Sequence, residues 1–343
     1  MYNVLVTGGA GFIGHHLVKR LSSMDCKITI IDNLSNANSI FLHKIKSAIQ
    51  ASRVSRSRFV SLNDNEINDV SFYAEDIRNK DALIDIFKSE EIDTCVLLTA
   101  KISVPESITN PGDTIDVNIK GTLNVLEACS KADVKNLVFA SSSAVYGEPK
   151  ILPISEKQQL DPLSPYGASK IAGEALVSSF RNTGKIQNAV SIRIFNVFGE
   201  GQSFGYAGVI TRFAEQLLAG LPPVIYGNGD QTRDFIFVDD VVSAIALSAA
   251  VADKKLEEKS PSPYPSFYAH ILNVGTGKAV KIRDLAQMMI KIFNLDFEPI
   301  FAEARKGDIV NSLADIRRLE TVLGFVPSGE IEPYLKQMFV HSK

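Results

Sequence analysis

Along the first half of the chain, short β-branched and aliphatic runs alternate with stretches whose apolar positions recur every three or four residues. Residues 4–7, 27–32, 71–75, 94–99, 136–141 and 190–195 predict strands. Several are apolar nearly throughout, the pattern of a strand covered on both faces rather than one with a solvated side. Residues 12–21, 80–89, 115–130 and 166–180 carry the helical period instead. Strand–helix alternation requires crossover connections, and these are right-handed between parallel neighbours. The expected architecture is α/β, a doubly wound parallel sheet of the Rossmann type.

Beyond residue 190 the pattern loosens. Residues 209–219, 240–252 and 282–293 predict helices, and 224–226, 235–238 and 271–274 predict short strands, with glycine and proline between them. This reads as a smaller α/β substrate-binding domain packed on the sheet. A length of 343 residues fits about two domains, expected at 1–180 and 181–343 and partly interleaved. Two segments are too long for ordinary connections: a polar, basic stretch at 33–69, and 254–267, which ends in Ser-Pro-Ser-Pro-Tyr-Pro.

Charge and composition narrow the chemistry. With Lys+Arg at 36 and Asp+Glu at 39, the net charge of −3 excludes a nucleic-acid binder acting through bulk charge. No apolar run approaches the roughly 18 residues of a transmembrane helix, so no membrane partner is expected. Met1-Tyr2-Asn3 leads straight into a strand, which predicts no secretory signal. Cys26, Cys95 and Cys129 are scattered, as expected of reduced thiols in the cytoplasm. No thiolate or histidine cluster has metal-ligand spacing, and no metal is expected.

Thr7-Gly8-Gly9-Ala10-Gly11-Phe12-Ile13-Gly14 follows the first strand and opens the first helix. Gly8 permits the tight turn, Gly11 lets backbone approach a pyrophosphate, and Gly14 lets helix and strand pack closely. The helix start at Phe12 and Ile13 then offers free N–H groups and a partial positive charge to phosphates. Asp32 ends the second strand, where a carboxylate can hold a ribose diol. No Arg or Lys lies between Asp32 and Phe41 to meet a 2′-phosphate, so NAD is expected rather than NADP.

Tyr166 and Lys170, in Ser164-Pro165-Tyr166-Gly167-Ala168-Ser169-Lys170, are four apart and share one helix face. An ammonium there favours a phenolate; lowering a tyrosine pKa from about 10 to about 7 takes roughly 4 kcal/mol. Ser141-Ser142-Ser143-Ala144-Val145-Tyr146-Gly147 ends a strand, and strand carboxyl ends face the ligand crevice of such a sheet. A hydroxyl therefore arrives where the tyrosine points.

In order and spacing, these three motifs resemble the extended short-chain dehydrogenase/reductase family, and within it the NAD-dependent nucleotide-sugar epimerases, most closely the UDP-glucose 4-epimerases. The likeness extends through Arg193–Gly199, Thr232–Asp240 and Asn273–Gly277. It implies Tyr166 as acid/base, Lys170 as the group lowering its pKa and holding the nicotinamide ribose, and Ser142 on the reacting sugar hydroxyl. It also implies cofactor contacts from Asn33, Asp76 and Ile77 near the adenine side, from Leu98, Thr99 and Ala100, and from Asn118 near the nicotinamide. For a UDP-sugar substrate it implies Asn196 and Arg233 on the diphosphate, with Arg305 and Asp308 closing over phosphate and ribose. Ser312 would stand at a wall of the sugar pocket, where a bulky tyrosine excludes N-acetyl sugars. A homodimer is implied by the resemblance alone.

Two departures matter. The turn after the fourth predicted strand reads Leu97-Leu98-Thr99-Ala100-Lys101, with no histidine and an added lysine expected to face solvent. At the serine motif, related dehydratases and decarboxylases carry a carboxylate; here stand Ser143 and Ala144. Without that acid the simplest expected outcome is inversion at the sugar's fourth carbon. His15 and His16 are expected on a helix surface, and Tyr146 as a packing or uridine-side residue.

Overall fold

The computed structural model describes residues 2–37, 56–60, 69–202, 208–251, 270–305 and 309–339. Up to residue 194 the strands are β1 (Tyr2–Thr7), β2 (Cys26–Asp32), β3 (Arg56–Val60), β4 (Asp69–Ala74), β5 (Thr94–Leu97), β6 (Asn136–Ser142) and β7 (Asn188–Ile194). Beyond it come β8 (Asn196–Phe198), β9 (Val224–Tyr226), β10 (Thr232–Phe237), β11 (Ile271–Val274), β12 (Ala279–Lys281) and β13 (Ile300–Ala302). The helices used below are α1 (Phe12–Leu21), α2 (Lys80–Ser89), α3 (Val104–Thr109), α4 (Pro111–Ile115), α5 (Thr122–Lys131), α6 (Pro165–Asn182), α7 (Val209–Leu218) and α8 (Val238–Val251).

The large sheet has the order β11-β7-β6-β5-β1-β2-β4-β3. Every pairing in it is parallel except β3 with β4. Progress reverses between β1 and β5: the chain first builds outward through β2 and β4, then returns to add β5, β6 and β7 on the other side. That reversal opens a crevice at the carboxyl ends of β1 and β5, where ligands of such sheets bind. Two apolar layers explain the runs in the strands. Val4, Val6, Ile28 and Ile30 pack toward Leu17 and Val18 of α1 and Val241 and Ile245 of α8. Leu5, Ile31, Leu97 and Leu137 point the other way, toward Leu83 and Phe87 of α2, Val125 and Leu126 of α5 and Val177 of α6.

Three features depart from the pattern expected above. The antiparallel β3 falls inside the long polar stretch, where hydrophobic periodicity gave no signal. The expected helix at 115–130 is interrupted by a π-helical stretch at Asp116–Gly121, which places Asn118 on a widened turn. Val238 begins α8 instead of ending β10. The large sheet also takes strands from both sides of residue 180, since β7 and β11 close it. The remaining strands make two small sheets, β12-β10-β8 and β13-β9.

Candidate active site

The turn after β1 is shaped by what glycine lacks. Gly8 has φ +71°, and a Cβ there would lie 2.9 Å from the Thr99 backbone nitrogen. A Cβ on Gly14 would stand 2.1 Å from the Gly8 carbonyl oxygen, so α1 reaches its packing distance only with glycine at that position. Gly11 heads α1 without a side-chain cap, and the first turn, from Phe12 and Ile13 onward, has no acidic residue. Its free N–H groups remain available to an anion. Asp32 braces this loop: Ala10 N–H donates to Oδ2 at 3.0 Å and Leu34 N–H to Oδ1 at 2.8 Å. Burial pushes its carboxyl pKa up, with the two N–H donors opposing.

The neighbouring turns converge on the same crevice. Asn33 donates to Asp76 at 2.8 Å, and Arg78, bonded to the same carboxylate, holds the Asp76 pKa down at about 2. Ile77 is buried, its carbonyl held by Asn124 at 3.1 Å. Leu98 N–H extends the β5 ladder to the Thr7 carbonyl at 3.2 Å, bringing Thr99 and Ala100 beside the glycine turn. The Thr99 hydroxyl is buried there and meets no hydrogen-bond partner among the described residues. Asn118 clasps this turn by accepting from Lys101 N–H at 2.7 Å and donating to the Lys101 carbonyl at 3.0 Å and to Ser169 Oγ at 2.9 Å. Its side-chain N–H groups are thus both engaged within the protein. Lys101 itself turns to acids, with Nζ 3.0 Å from Asp113 and 3.6 Å from Glu106.

Across the crevice, Ser142 ends β6 and α6 begins at Pro165. Ser164 caps the helix, accepting from Gly167 N–H at 3.1 Å, and Pro165 suits its first position. A Cβ on Gly167 would stand 2.6 Å from the Ala144 carbonyl, so the serine turn and the helix start touch backbone to backbone. This contact brings the Ser142 and Tyr166 side chains close to one another. Burial raises the Tyr166 pKa and the nearby Ser142 side chain opposes it. Lys170 lies one turn on, its Nζ 5.8 Å from the Tyr166 ring centre and donating to the Ala140 carbonyl at 2.7 Å. Burial lowers its pKa to about 8, against the pull of Glu174. A tyrosine, a serine and a lysine so placed can pass a proton to and from a substrate hydroxyl.

The expected substrate residues come from later segments. Asn196 is exposed at the start of β8, and Phe235 of β10 pairs with it. Arg233, two residues earlier, donates to the Thr232 carbonyl at 2.8 Å. Ser312 is only 2 % exposed, and its N–H bonds the Thr232 carbonyl at 3.1 Å. Ile154 N–H then takes the Leu313 carbonyl at 2.7 Å, which ties this wall to the segment following the serine motif. Arg305 stacks on the Tyr226 ring at 3.6 Å. Asp308 lies outside the described residues, as does most of 33–69 and all of 254–267.

Several residues given no role above prove central. Asp234 is fully buried and accepts from Thr276 N–H, Thr276 Oγ1, Gly277 N–H and Ala314 N–H at 2.7–3.0 Å. Glu174 and Arg193 form a buried ion pair behind Ser141. Tyr226 offers an exposed aromatic face beside Arg305. Glu174 had a usable signal, an acid one helical turn beyond Lys170 on the same face; Asp234 had none, since its partners are remote in sequence. Tyr146 is a packing residue, 1 % exposed and donating to Asn273 at 2.6 Å. His15 is half-buried rather than a plain surface residue, and burial lowers its pKa to about 4. Among the described residues no three His, Cys, Asp or Glu groups gather as a metal site, and no helix is long and apolar enough to cross a membrane.

The crevice suits a dinucleotide. A glycine-rich loop leads to an uncapped helix start, the half-buried Asp32 carboxylate stands beside it, and the buried Thr99 hydroxyl has no hydrogen-bond partner among the described residues. Comparison with known proteins agrees. The sequence model of the NAD dependent epimerase/dehydratase family matches residues 4–264. A UDP-glucose 4-epimerase of Mycolicibacterium smegmatis is 34 % identical over 94 % of this chain and 93 % of its own length. The structure of a UDP-N-acetylglucosamine 4-epimerase from Methanobrevibacter ruminantium, in complex with UDP-N-acetylmuramic acid, superimposes with a TM-score of 0.83. It is 34 % identical and covers 100 % of this chain and 99 % of that one. A Thermotoga maritima UDP-glucose 4-epimerase with UDP-glucose gives 0.81 at 31 % identity, covering 98 % and 97 %.

Proposed function

The chain belongs to the NAD dependent epimerase/dehydratase family, and we propose that it is a UDP-hexose 4-epimerase. The observation that carries this reading is the Ser142–Tyr166–Lys170 set at the crevice, with Ser143 and Ala144 where a further carboxylate would serve dehydration or decarboxylation. Gly8, Gly11, Phe12, Ile13 and Gly14 hold the pyrophosphate and Asp32 the adenosine ribose. Asn33, Asp76 and Ile77 flank the adenine side. Leu98, Thr99 and Ala100 line the cofactor, and Asn118 fixes their turn. Bound NAD supplies what no side chain here has, a positively charged acceptor that takes hydride from a sugar carbon and returns it.

Tyr166 removes the proton from the sugar 4-hydroxyl and later restores it. Its phenolate is favoured by the Lys170 ammonium, and Ser142 steadies the hydroxyl by a hydrogen bond. Asn196, Arg233, Arg305 and Asp308 hold the UDP portion while the keto sugar turns over, and Tyr226 gives the base a stacking face. Residues 1–180 supply the cofactor side and 181–343 the sugar-nucleotide side, interleaved through β7 and β11. The small buried Ser312 supports acceptance of N-acetyl sugars beside UDP-Glc and UDP-Gal; the Methanobrevibacter relative is itself a UDP-N-acetylglucosamine 4-epimerase. Exposed Ile102, Val104, Ile108 and Ile115 on and beside α3 and α4 support a homodimer. The three free, buried cysteines support a cytoplasmic setting.

NMR of the products from UDP-Glc, UDP-GlcNAc and UDP-glucuronate, incubated separately with the protein and NAD, tests the assignment. Interconversion at the fourth carbon of the first two is expected. Loss of CO₂ or water as the main outcome would overturn it, and tighter binding of NADP than of NAD would overturn the role of Asp32.

A further inference from the structure

Behind the reacting groups lies a polar chain that the proposed chemistry does not use. Glu174, one turn beyond Lys170 on α6, and Arg193 on β7 are both fully buried. The carboxylate takes Arg193 Nε at 2.8 Å and Nη2 at 2.7 Å, a bidentate pair, and also accepts from Ser141 Oγ at 2.5 Å. Arg193 Nη1 continues to the Tyr146 hydroxyl at 2.9 Å and the Glu156 carbonyl at 3.0 Å. Tyr146 donates on to Asn273, whose Nδ2 donates to the Ile154 carbonyl at 2.8 Å. The chain therefore begins beside Ser142 and ends on the residue that bonds the Ser312 wall.

We propose that the Glu174–Arg193 pair is a positioning device, which holds the Ser141–Ser142 turn against the Tyr166–Lys170 helix and gives Lys170 a buried counter-charge. This rests on the role given above to Tyr166, Lys170 and Ser142. Stability alone does not call for such a pair, because apolar residues of similar volume often serve a buried site as well or better. Its geometry serves the site instead. Ala140, Ser141 and Ser142 are consecutive; the first accepts from Lys170, the second is held by Glu174 and the third meets Tyr166. The groups facing the Lys170 ammonium are few. Its own helix presents Tyr166 and Glu174, β6 presents the Ala140 carbonyl and the Phe139 ring, and Arg193 on β7 is turned into the carboxylate. Glu174 is thus the one anion raising the Lys170 pKa among the described groups, against burial that lowers it to about 8.

The test compares E174Q, the double variant E174M/R193M and Tyr166→Phe with wild type, using UDP-glucose and NAD. The double variant keeps volume without a buried charge, so its melting temperature should stay within about 5 °C of wild type. Its kcat should fall about 100-fold, with KM changed by less than about threefold. In E174Q the amide can still accept from Ser141, but the counter-charge is gone. The Lys170 ammonium should then be lost about one pH unit lower. The alkaline limb of the kcat/KM profile and an NMR titration of the Lys170 side chain should both show that shift. Should the double variant fail to fold, E174Q decides alone. Wild-type kcat and an unmoved alkaline limb in the variants, beside an inactive Tyr166→Phe, would overturn the proposal and leave the pair a packing feature. An active Tyr166→Phe would remove the reading of the site on which it rests, and the proposal with it.

Discussion

The two walls of the crevice are built in opposite ways. The wall proposed for the cofactor is a turn of eight consecutive residues, Thr7–Gly14, braced by Asp32 from the adjacent strand. What shapes it is empty space: Cβ atoms missing at Gly8 and Gly14, so that backbone meets backbone. The wall proposed for the substrate is gathered from Ser142–Tyr146, Asn196, Thr232–Asp234 and Asn311–Asp315, and its shape is fixed by buried polar groups such as Asp234. Asp234 alone joins residues 42 and 80 positions away. A wall made of sterics fails when an atom is added. One made of buried hydrogen bonds fails when a partner is withdrawn, because the remaining group keeps its desolvation penalty.

The largest effect is expected at the seam between them. Tyr166→Phe should lower turnover by about 10²–10⁴-fold while leaving NAD and UDP affinity nearly intact, since only the proton-transferring oxygen is lost. Calorimetric binding beside steady-state rates checks this; a variant keeping more than about a tenth of the activity would mean that another group is the base.

One substitution on each wall then separates the two modes of failure. Gly14→Ala forces a carbon against the Gly8 carbonyl, and overpacking of that kind costs about 1–3 kcal/mol. NAD affinity should fall sharply while UDP affinity holds. Asp234→Asn replaces a carboxylate that only accepts with an amide that points N–H toward N–H. The expected cost is about 1–3 kcal/mol, seen as weaker UDP-sugar binding with NAD affinity unchanged. If both variants lost both ligands equally, the walls would be one cooperative unit and the contrast would fall.

Ser312→Tyr probes the substrate wall more finely. The added ring should depress turnover of UDP-GlcNAc by about tenfold, which is about 1.4 kcal/mol, while sparing UDP-Glc. Equal losses on both sugars would place Ser312 away from the 2-substituent.

The smallest effect concerns pH, and two half-buried histidines report it. Burial lowers the pKa of His15, on α1, and of His270, just before β11, to about 4. The unfolded chain takes these protons near pH 6.5, the folded chain only near 4. Their contribution to stability is therefore complete above about pH 6.5 and is lost as pH falls toward 4. Melting temperatures across that window should decline in wild type and decline less in H15Q and H270Q.

Residue by residue, legibility followed sequence distance. Gly14 and Asp32 could be recognised because a turn and the neighbouring strand carry their partners within about 25 positions. Tyr166 and Lys170 could be placed on one face by helical spacing, and Ser142 by the rule that strand ends face the crevice. Glu174 shares that spacing, but an acid at i+4 from a lysine is commonplace on exposed helices; only its burial against Arg193 sets it apart. The π-helical turn at Asp116–Gly121 left no trace in the apolar periodicity, and with it the clasp by which Asn118 grips Lys101.

By itself, then, the sequence determined the doubly wound sheet, the glycine turn, the place of the Asp32 carboxylate and the three side chains proposed to react. Each depends on conformational preferences or periodicities that act over one or two adjacent elements. Only the tertiary structure decided that Asp234 would tie two loops to β10, that Arg193 would grip Glu174 behind Ser141, and that Lys101 would turn to Asp113 and Glu106. Those choices are made when distant segments are desolvated together, and a buried charge must then take whichever partners the packing brings within reach.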